Sequence, residues 1–198
     1  RVSEVKKMRM SSSDKSANKL AKRAHQFREI NTTNTQSIII PLTTSVRREY
    51  IPIGFLKSDD IATNSSSVIY DSEIWVFSLL ISKIHTLWMK TVGGRLKMDY
   101  RYSSDLCYNT FPITSLSKQR KEELTQCTLR IIDERLKHSE KTLAQLYDPD
   151  KMPEGLKEAH HQNDLAVERC YRSTPFSGDE ERLEYLFKLY EKMIQEEK

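Results

Sequence analysis

The chain has 198 residues, of which 30% are charged and 37% hydrophobic, and its formal net charge is +4. This length suffices for one domain or two small ones with a genuine core, and the composition excludes a disordered or fibrous chain. The five glycines form neither a P-loop nor a dinucleotide fingerprint, which excludes the glycine-rich nucleotide-binding proteins.

The first part of the chain combines strand and turn patterns with one strong helix. Residues 14–29 form a polar helix candidate, and β-branched or aromatic runs predict strands at 38–40, 50–55, 67–70 and 100–111. An apolar stripe at helical spacing predicts one core helix over about 73–90, with Ser72 as its N-cap. This combination predicts a mixed α/β fold.

After Pro112 the pattern becomes helical. Three main helices are expected: the first is capped by Ser117 and runs to about residue 139, the second is opened by Pro153, and the third follows Ser177 and Gly178. We therefore predict two domains. Residues 1–115 would form an α+β domain, and residues 116–198 would form an all-α helical bundle that serves as a rigid spacer or simply as a cap.

Charge is unevenly divided between these two parts. Residues 1–115 hold 17 Lys and Arg against 10 Asp and Glu, whereas residues 116–198 hold 15 against 18. The basic excess is concentrated in residues 1–57, with 12 basic and 4 acidic side chains. A basic portion joined to an acidic one favours contact of the first with a polyanion such as nucleic acid, although basic faces are common on other proteins too.

The cysteines and the apolar segments indicate where the protein resides. Cys107, Cys127 and Cys170 are odd in number and far apart, so we expect neither a disulfide framework nor a zinc site, and a reducing cytoplasm fits best. The most apolar stretch, residues 74–81, is far shorter than the roughly 20 residues that span a bilayer. Because the chain begins with arginine and has no apolar entry into a core, we expect a fragment of a longer protein.

Motifs of catalytic sites are missing from the sequence. The chain lacks the glycine-rich turn that holds an adenosyl cofactor, the Asn/Asp-Pro-Pro-aromatic tetrapeptide, a PD…ExK nuclease core, a nucleophile elbow and HExxH. His160 and His161 are neighbours on a predicted helix and point in different directions, so we expect one packed and one solvated histidine. The sequence thus predicts no catalytic residue, no metal site and no small-molecule substrate for this chain.

The most informative segment is residues 93–112. If residues 96–102 are extended, one face carries Arg95, Lys97, Asp99 and Arg101, and the other carries Leu96, Met98, Tyr100 and Tyr102. Lysine and arginine donate to guanine O6 and N7 and aspartate accepts from cytosine N4, so Lys97 and Asp99 suit the two halves of one G·C pair. From spacing alone, a solvated strand face with an ordinary charge pair is the simpler interpretation.

Several strings of residues resemble the MmeI-like type IIL restriction–modification enzymes. Those similar to the family's target recognition domain are SVRREYIPIGFL (45–56), SKIHTLW (82–88), GGRLKMDYRYS (93–103) and YNTFP (108–112). Those similar to its C-terminal helical region are LYDPDKMPEGLKEAH (146–160) and ERLEYLFKLYEKM (181–193). The strings follow the family's order along nearly the whole chain, with departures at Thr110 and Ile113.

The resemblance implies a function and a set of partners. In this family one polypeptide joins a nuclease, a helical connector, an adenine-N6 methyltransferase, the recognition domain and a terminal helical part. The chain would be the last two pieces, with double-stranded DNA and the methyltransferase domain of the same polypeptide as partners. It would hold no cofactor itself, because S-adenosylmethionine, and Mg for a nuclease, would belong to the missing domains.

The resemblance also implies roles for individual residues. Lys97, Asp99 and Arg101 would read bases, and a second reading position would lie at Asn64 and Ser65. Phosphate contacts are expected from the remaining candidates, which are Arg47, Arg48, Arg95 and His85. For His85 the simpler interpretation is a satisfied core histidine, since it lies on a strongly apolar helix.

Two functions from different classes therefore stay open. The first is a sequence-specific DNA recognition module that positions an adenine-N6 methyltransferase, with or without a nuclease. The second is a non-catalytic protein-interaction or assembly domain whose basic half docks an acidic partner. Steep salt dependence combined with sequence preference would distinguish the first from the second. Independent enzyme activity conflicts with the missing motifs.

Overall fold

A small helical hairpin forms the N-terminal part of the computed structural model, which describes residues 1–28, 30–31 and 33–196. Helix α1 (Val2–Ser11) packs against α2 (Lys15–Lys19), and α2 continues as a 3₁₀ turn (Leu20–Arg23). The predicted helix over 14–29 is therefore shorter than expected, and its residue 29 lies outside the described residues. Arg9 closes the hairpin by donating hydrogen bonds to the carbonyl oxygens of Leu20, Arg23 and Gln26.

The chain forms two small antiparallel sheets, and residues 37–44 run from the first sheet into the second. In the first, β1 (Ser37–Pro41) lies between β3 (Gly54–Leu56) and β4 (Ser66–Ile69). In the second, β6 (Asp99–Arg101) lies between β2 (Thr43–Thr44) and β5 (Gly94–Leu96). Leu42 joins the sheets, because its N–H donates to the carbonyl of Ser65 and its carbonyl accepts from the N–H of Tyr102.

The predicted strands are confirmed in part. Those at 38–40 and 67–70 are present as β1 and β4. The run at 50–55 becomes a strand only at Gly54, since Tyr50, Ile51 and Ile53 are buried as core side chains ahead of the ladder. The run at 100–111 leaves the strand after Arg101 and forms a π-helical turn (Ser104–Tyr108).

The predicted core helix over 73–90 consists of two helices, α3 (Ile74–Ile81) and α4 (Lys83–Val92). The backbone of Ser82 is extended, with φ −68° and ψ 158°, which ends α3. Its hydroxyl donates to the carbonyl of Leu79 and accepts from the N–H of His85, so the same residue caps α4. Glu73, and not Ser72, occupies the N-cap position of α3. The apolar stripe is buried as predicted, but a serine cap inside it interrupts the helix.

Helices make up the second part of the chain, which confirms the predicted fold class. Helix α5 (Lys118–Leu136) is capped by Ser117, as the sequence predicts. A short α6 (Leu143–Leu146), which was not predicted, begins with a capping box of Thr142 and Gln145. Helices α7 (Glu154–Tyr171) and α8 (Asp179–Glu196) follow Pro153 and Gly178 as expected. The division at residue 115 remains a proposal, since both hydrophobic clusters take residues from each side of it.

A buried arginine connects the two parts of the chain. Arg135 of α5, only 7% exposed, donates from Nη1 to the carbonyl oxygen of Ile53 at 3.0 Å and from Nε to the hydroxyl of Tyr147 at 2.9 Å. That hydroxyl in turn lies 2.7 Å from Nε2 of His160, and burial holds the pKa of His160 well below its ordinary value. The neutral imidazole therefore accepts a hydrogen bond from the tyrosine hydroxyl, whose oxygen accepts hydrogen bonds from the arginine.

We expect Arg135→Ala to lower the free energy of unfolding by about 2–4 kcal/mol, because two buried acceptors lose a charged donor. Urea unfolding followed by circular dichroism measures this change. Arg130→Ala, at an exposed position of the same helix, is the matched control and is expected to stay within about 0.5 kcal/mol of the original. Equal effects of the two substitutions would show that the buried arginine is not a stabilising junction.

Candidate nucleic-acid interface

The segment predicted to read bases is a β-hairpin and not a single strand. Strands β5 and β6 pair with Gly94 opposite Arg101, Arg95 opposite Tyr100 and Leu96 opposite Asp99. Lys97 and Met98 form the two-residue turn between them. The expectation that residues 96–102 are extended is therefore wrong, because the chain reverses at Lys97 without the Asn-Gly or Asp-Gly pair that usually marks such a turn.

Strand alternation predicted four charged side chains on one face. Because the chain reverses at Lys97, they lie on different sides of the hairpin. Asp99 and Arg101 share a face of β6, as predicted. Arg95 lies on the opposite face, where its guanidinium stacks 4.0 Å from the ring centroid of Tyr100. Lys97 projects from the turn. Leu96 and Met98, expected to pack, are 50% and 75% exposed. The hairpin tip is consequently a protruding, solvated element.

Lys97 has an unfavourable backbone conformation. Its φ is +57°, and in the part of the chain that the structure describes only Asp71 is another non-glycine residue with positive φ. This conformation costs a residue with a Cβ atom roughly 1–2 kcal/mol, and glycine normally stands at the first position of a hairpin turn of this kind. Backbone strain of this sort concentrates at functional sites. A lysine at this position points to a role for its side chain.

The second predicted reading position lies beside the hairpin. Asn64 and Ser65 form an exposed turn immediately before β4. The carbonyl of Ser65 accepts from the N–H of Leu42, whose own carbonyl accepts from the N–H of Tyr102 just after β6. Main-chain hydrogen bonds to one residue thus hold the two predicted reading elements together.

The predicted phosphate contacts have different surroundings. Arg47 is exposed but pairs with Asp150, and Arg48 is half-buried with Nη2 3.5 Å from the carbonyl oxygen of Ala144. Lys90, which the sequence analysis missed, donates to the carbonyl of Arg48 and lies 5.8 Å from the ring centroid of Tyr100. Partial burial lowers the pKa of Lys90. The sequence signal that could have identified Lys90 was its position, one helical turn before the hairpin.

His85 is not available to a phosphate, which corrects that prediction. Its ring is fully buried, with Nδ1 2.8 Å from the carbonyl oxygen of Leu80 and Nε2 3.4 Å from the hydroxyl of Tyr102. The ring also packs edge-on against Phe111. Burial lowers the pKa of His85 to about 4, so the imidazole is neutral at physiological pH. The simpler interpretation, a satisfied core histidine, is correct.

The adjacent histidines at positions 160 and 161 have different surroundings. His160 is buried and His161 exposed, as predicted for adjacent positions on a helix. Over residues 1–28, 30–31 and 33–196, no three His, Cys, Asp or Glu side chains lie close enough together to hold a metal ion. Across the same ranges, no helix combines the length and the apolar character that crossing a membrane requires.

Close approach of the backbone fixes the base of the hairpin. A Cβ atom added to Gly93 would lie 2.4 Å from the carbonyl oxygen of Met89 and 3.2 Å from that of Arg101. We expect Gly93→Ala to lower the free energy of unfolding by about 1–3 kcal/mol, because helix α4 and strand β6 would have to move apart. Thermal or urea unfolding measures this loss.

The neighbouring Gly94 provides the control for this substitution. Its added Cβ atom would meet only the Cβ of Arg101, at 3.9 Å, so Gly94→Ala is expected to change stability by less than about 1 kcal/mol. A similar loss from both substitutions would mean that strand propensity, and not the close packing at Gly93, determines the outcome.

We also expect burial of His85 to make stability depend on pH. An unfolded histidine titrates near 6.5, so acidification protonates the unfolded chain before the folded one and stability falls. Relative to His85→Gln, the original protein should lose about 2 kcal/mol of unfolding free energy between pH 7 and pH 5. Urea unfolding of both proteins at the two pH values measures this loss.

The comparison of the original protein with His85→Gln cancels the pH dependence of stability that comes from other titratable groups. His160 acts in the same direction as His85, whereas Asp164, whose pKa burial raises to about 6, acts in the opposite direction. A difference that stays constant from pH 7 to pH 5 would contradict a neutral, buried His85.

Comparisons with known proteins cover almost the entire chain. The family described as "MmeI, target recognition domain" matches residues 1–115, and "MmeI, C-terminal domain" matches residues 116–196. DNA methyltransferase A of Bacillus subtilis (strain 168) is 48% identical over 195 residues, which are 98% of this chain and 22% of that protein.

A solved structure also matches nearly the whole chain. The type IIL restriction–modification enzyme MmeI in complex with DNA matches with a TM-score of 0.89 and 35% identity, over 98% of this chain and 26% of that one. The chain thus spans about a quarter of the length of the relatives that it matches.

Proposed function

Because this chain belongs to the MmeI family, as its target recognition domain joined to its C-terminal domain, we propose that it recognises a specific sequence in double-stranded DNA. Recognition would position the adenine-N6 methyltransferase of the same polypeptide, with or without a nuclease, on that site. A relative named as a DNA methyltransferase and a neighbour solved in complex with DNA support the proposal.

The observation that carries the proposal is the protruding hairpin tip. Lys97 projects from a strained turn, and Asp99 and Arg101 share one face of the adjoining strand. A two-stranded ribbon fits the major groove, where lysine and arginine donate to guanine and aspartate accepts from cytosine. The exposed turn of Asn64 and Ser65 adds amide and hydroxyl groups beside the hairpin.

Phosphate contacts would come from the basic side chains at the base of the hairpin. Arg95 and Lys90 both lie against the ring of Tyr100, and Lys90 is bonded to the backbone of Arg48. Arg47, which is 62% exposed, would exchange its ion pair with Asp150 for a phosphate at little cost, because exposed pairs are weak. Such contacts fix the register of the protein on the duplex without reading its sequence.

The helical part would act as a rigid spacer between the recognition part and the methyltransferase. Arg135 and the polar side chains of α7 bond into the recognition part, so the two parts would move together. We place the binding of S-adenosylmethionine, and of Mg for a nuclease, in other domains of the polypeptide, since a glycine-rich cofactor turn is missing from this sequence. A cytoplasmic location is part of the same proposal.

Exchanging the charges at the hairpin tip tests base reading. In the full-length parent, we expect Lys97→Asp combined with Asp99→Lys to change the preferred base at one position of the methylated motif. Each good base contact is worth about 1–3 kcal/mol of discrimination. Nonspecific DNA affinity should change less than about threefold, because net charge is conserved. Methylation-site sequencing and titration with a random duplex measure the two quantities.

A second charge exchange serves as the control. Glu184→Lys combined with Lys188→Glu reverses an exposed ion pair of α8 and should leave the motif unchanged. If exchange at the hairpin also leaves the motif unchanged, Lys97 and Asp99 do not read bases. A docking domain for an acidic protein would show salt dependence but no preference among duplex sequences.

A further inference from the structure

A groove of about 800 Å³ lies directly beside the Asn64–Ser65 turn. One side is formed by the chain around Phe27 and Asn31, and the other by residues from 61 to 70, with Ser104 at the start of the π-helical turn completing it. The groove therefore lies between the end of the N-terminal helical hairpin and the Asn64–Ser65 turn, one of the two elements that are proposed to read bases.

Hydrogen bonds anchor residues in and beside this groove. Asp71 carries a positive φ of 50°, and its Oδ1 accepts from the N–H groups of Asn34 and Thr35, each at 3.0 Å. Nδ2 of Asn31 donates to the hydroxyl of Tyr70 at 3.2 Å. Arg9 donates to the carbonyl oxygen of Gln26. Gln26 and Asn31 are thus each held by a hydrogen bond.

The lining combines ring faces with available hydrogen-bond donors. The rings of Phe27 and Tyr70 are 63% and 42% exposed. Within the described part of the chain, the side chains of Asn64, Ser67 and Ser104 make no hydrogen bond to another residue, and no lining residue carries a carboxylate. Hydroxyl and amide donors bind phosphate oxygens.

The segment that leads into the groove is strongly basic. The N-terminal segment that leads into it, residues 1–28, holds nine Lys and Arg and two Asp and Glu. Arg28, the last of these cations, is itself a lining residue. A groove lined by Arg28 and by neutral donors, at the end of a strongly basic segment, suits a chain of regularly spaced phosphates.

We propose that this groove seats the sugar–phosphate backbone of one DNA strand, next to the bases that the hairpin reads. This assignment rests on the proposed function and adds a binding site to it. Because contacts to the backbone carry no sequence information, the groove would contribute affinity and register and leave the choice of base to the hairpin and to the Asn64–Ser65 turn at its edge.

A carboxylate placed in the groove tests this assignment in the full-length protein. Ser67→Asp is expected to weaken binding to a cognate duplex and to a random duplex at least tenfold, without changing the methylated motif. Ser67→Asn, which has the shape of aspartate without the charge, is the matched reference, and the tenfold loss is expected relative to it. Gln119→Glu, at an exposed position of α5, controls for the change in net charge and should stay within threefold of the original.

Ser104→Asp, compared with Ser104→Asn, repeats the test outside the sheet, in case a charge at Ser67 disturbs β4. If neither aspartate weakens binding relative to its asparagine control, the groove does not hold DNA. If an aspartate changes the motif while affinity is kept, the groove reads bases and the backbone assignment is overturned. If the original protein binds cognate and random duplexes equally, the proposed function itself fails, and the groove assignment fails with it.

Discussion

The arrangement of the two parts of the chain depends on buried hydrogen bonds made by helix α7. The side-chain amide of Asn163 donates to the carbonyl of Ser78 and its oxygen accepts from the hydroxyl of the same serine. Asp164 accepts from the first N–H of α4, at Lys83, and from the hydroxyl of Tyr50, both at 2.7 Å. Packed apolar surfaces can shift against each other at little cost in free energy. A buried polar group that loses its hydrogen-bond partner destabilises the fold by about 1–3 kcal/mol. These bonds therefore set one orientation between the helical part and the sheets.

Helix α4 transmits that orientation to the hairpin that is proposed to face DNA. Its first residue, Lys83, is bonded to α7, and its last turn ends against Gly93, where the hairpin begins. Ten helical residues span about 15 Å and do not bend without a specific cause. A short, largely buried helix thus links the helical part to the hairpin. If the spacer docks on a methyltransferase, the distance from the bases read to the base modified is fixed by this helix and by α7.

The sequence predicted the features that follow from periodicity and end signals. The buried stripe of α3 and α4, the cap at Ser117 and the separate surroundings of His160 and His161 were all readable in this way. The break at Ser82 was not, because a serine hydroxyl within an apolar run ends a helix only if its partners, here the backbone around Leu79 and His85, are in place. The hairpin was not predicted, because an alternating pattern is compatible with one long strand and with two short paired strands. No glycine or asparagine marks the turn between them.

The junction at Leu42 has a consequence for how such a protein changes over time. The bonds that hold the Asn64–Ser65 turn and the hairpin in place use main-chain atoms alone, so they do not depend on which side chains stand at the contacting positions. Exposed residues there can be exchanged while the frame persists. If these residues read bases as proposed, new preferences would arise without loss of folding, which separates the evolution of specificity from the evolution of stability.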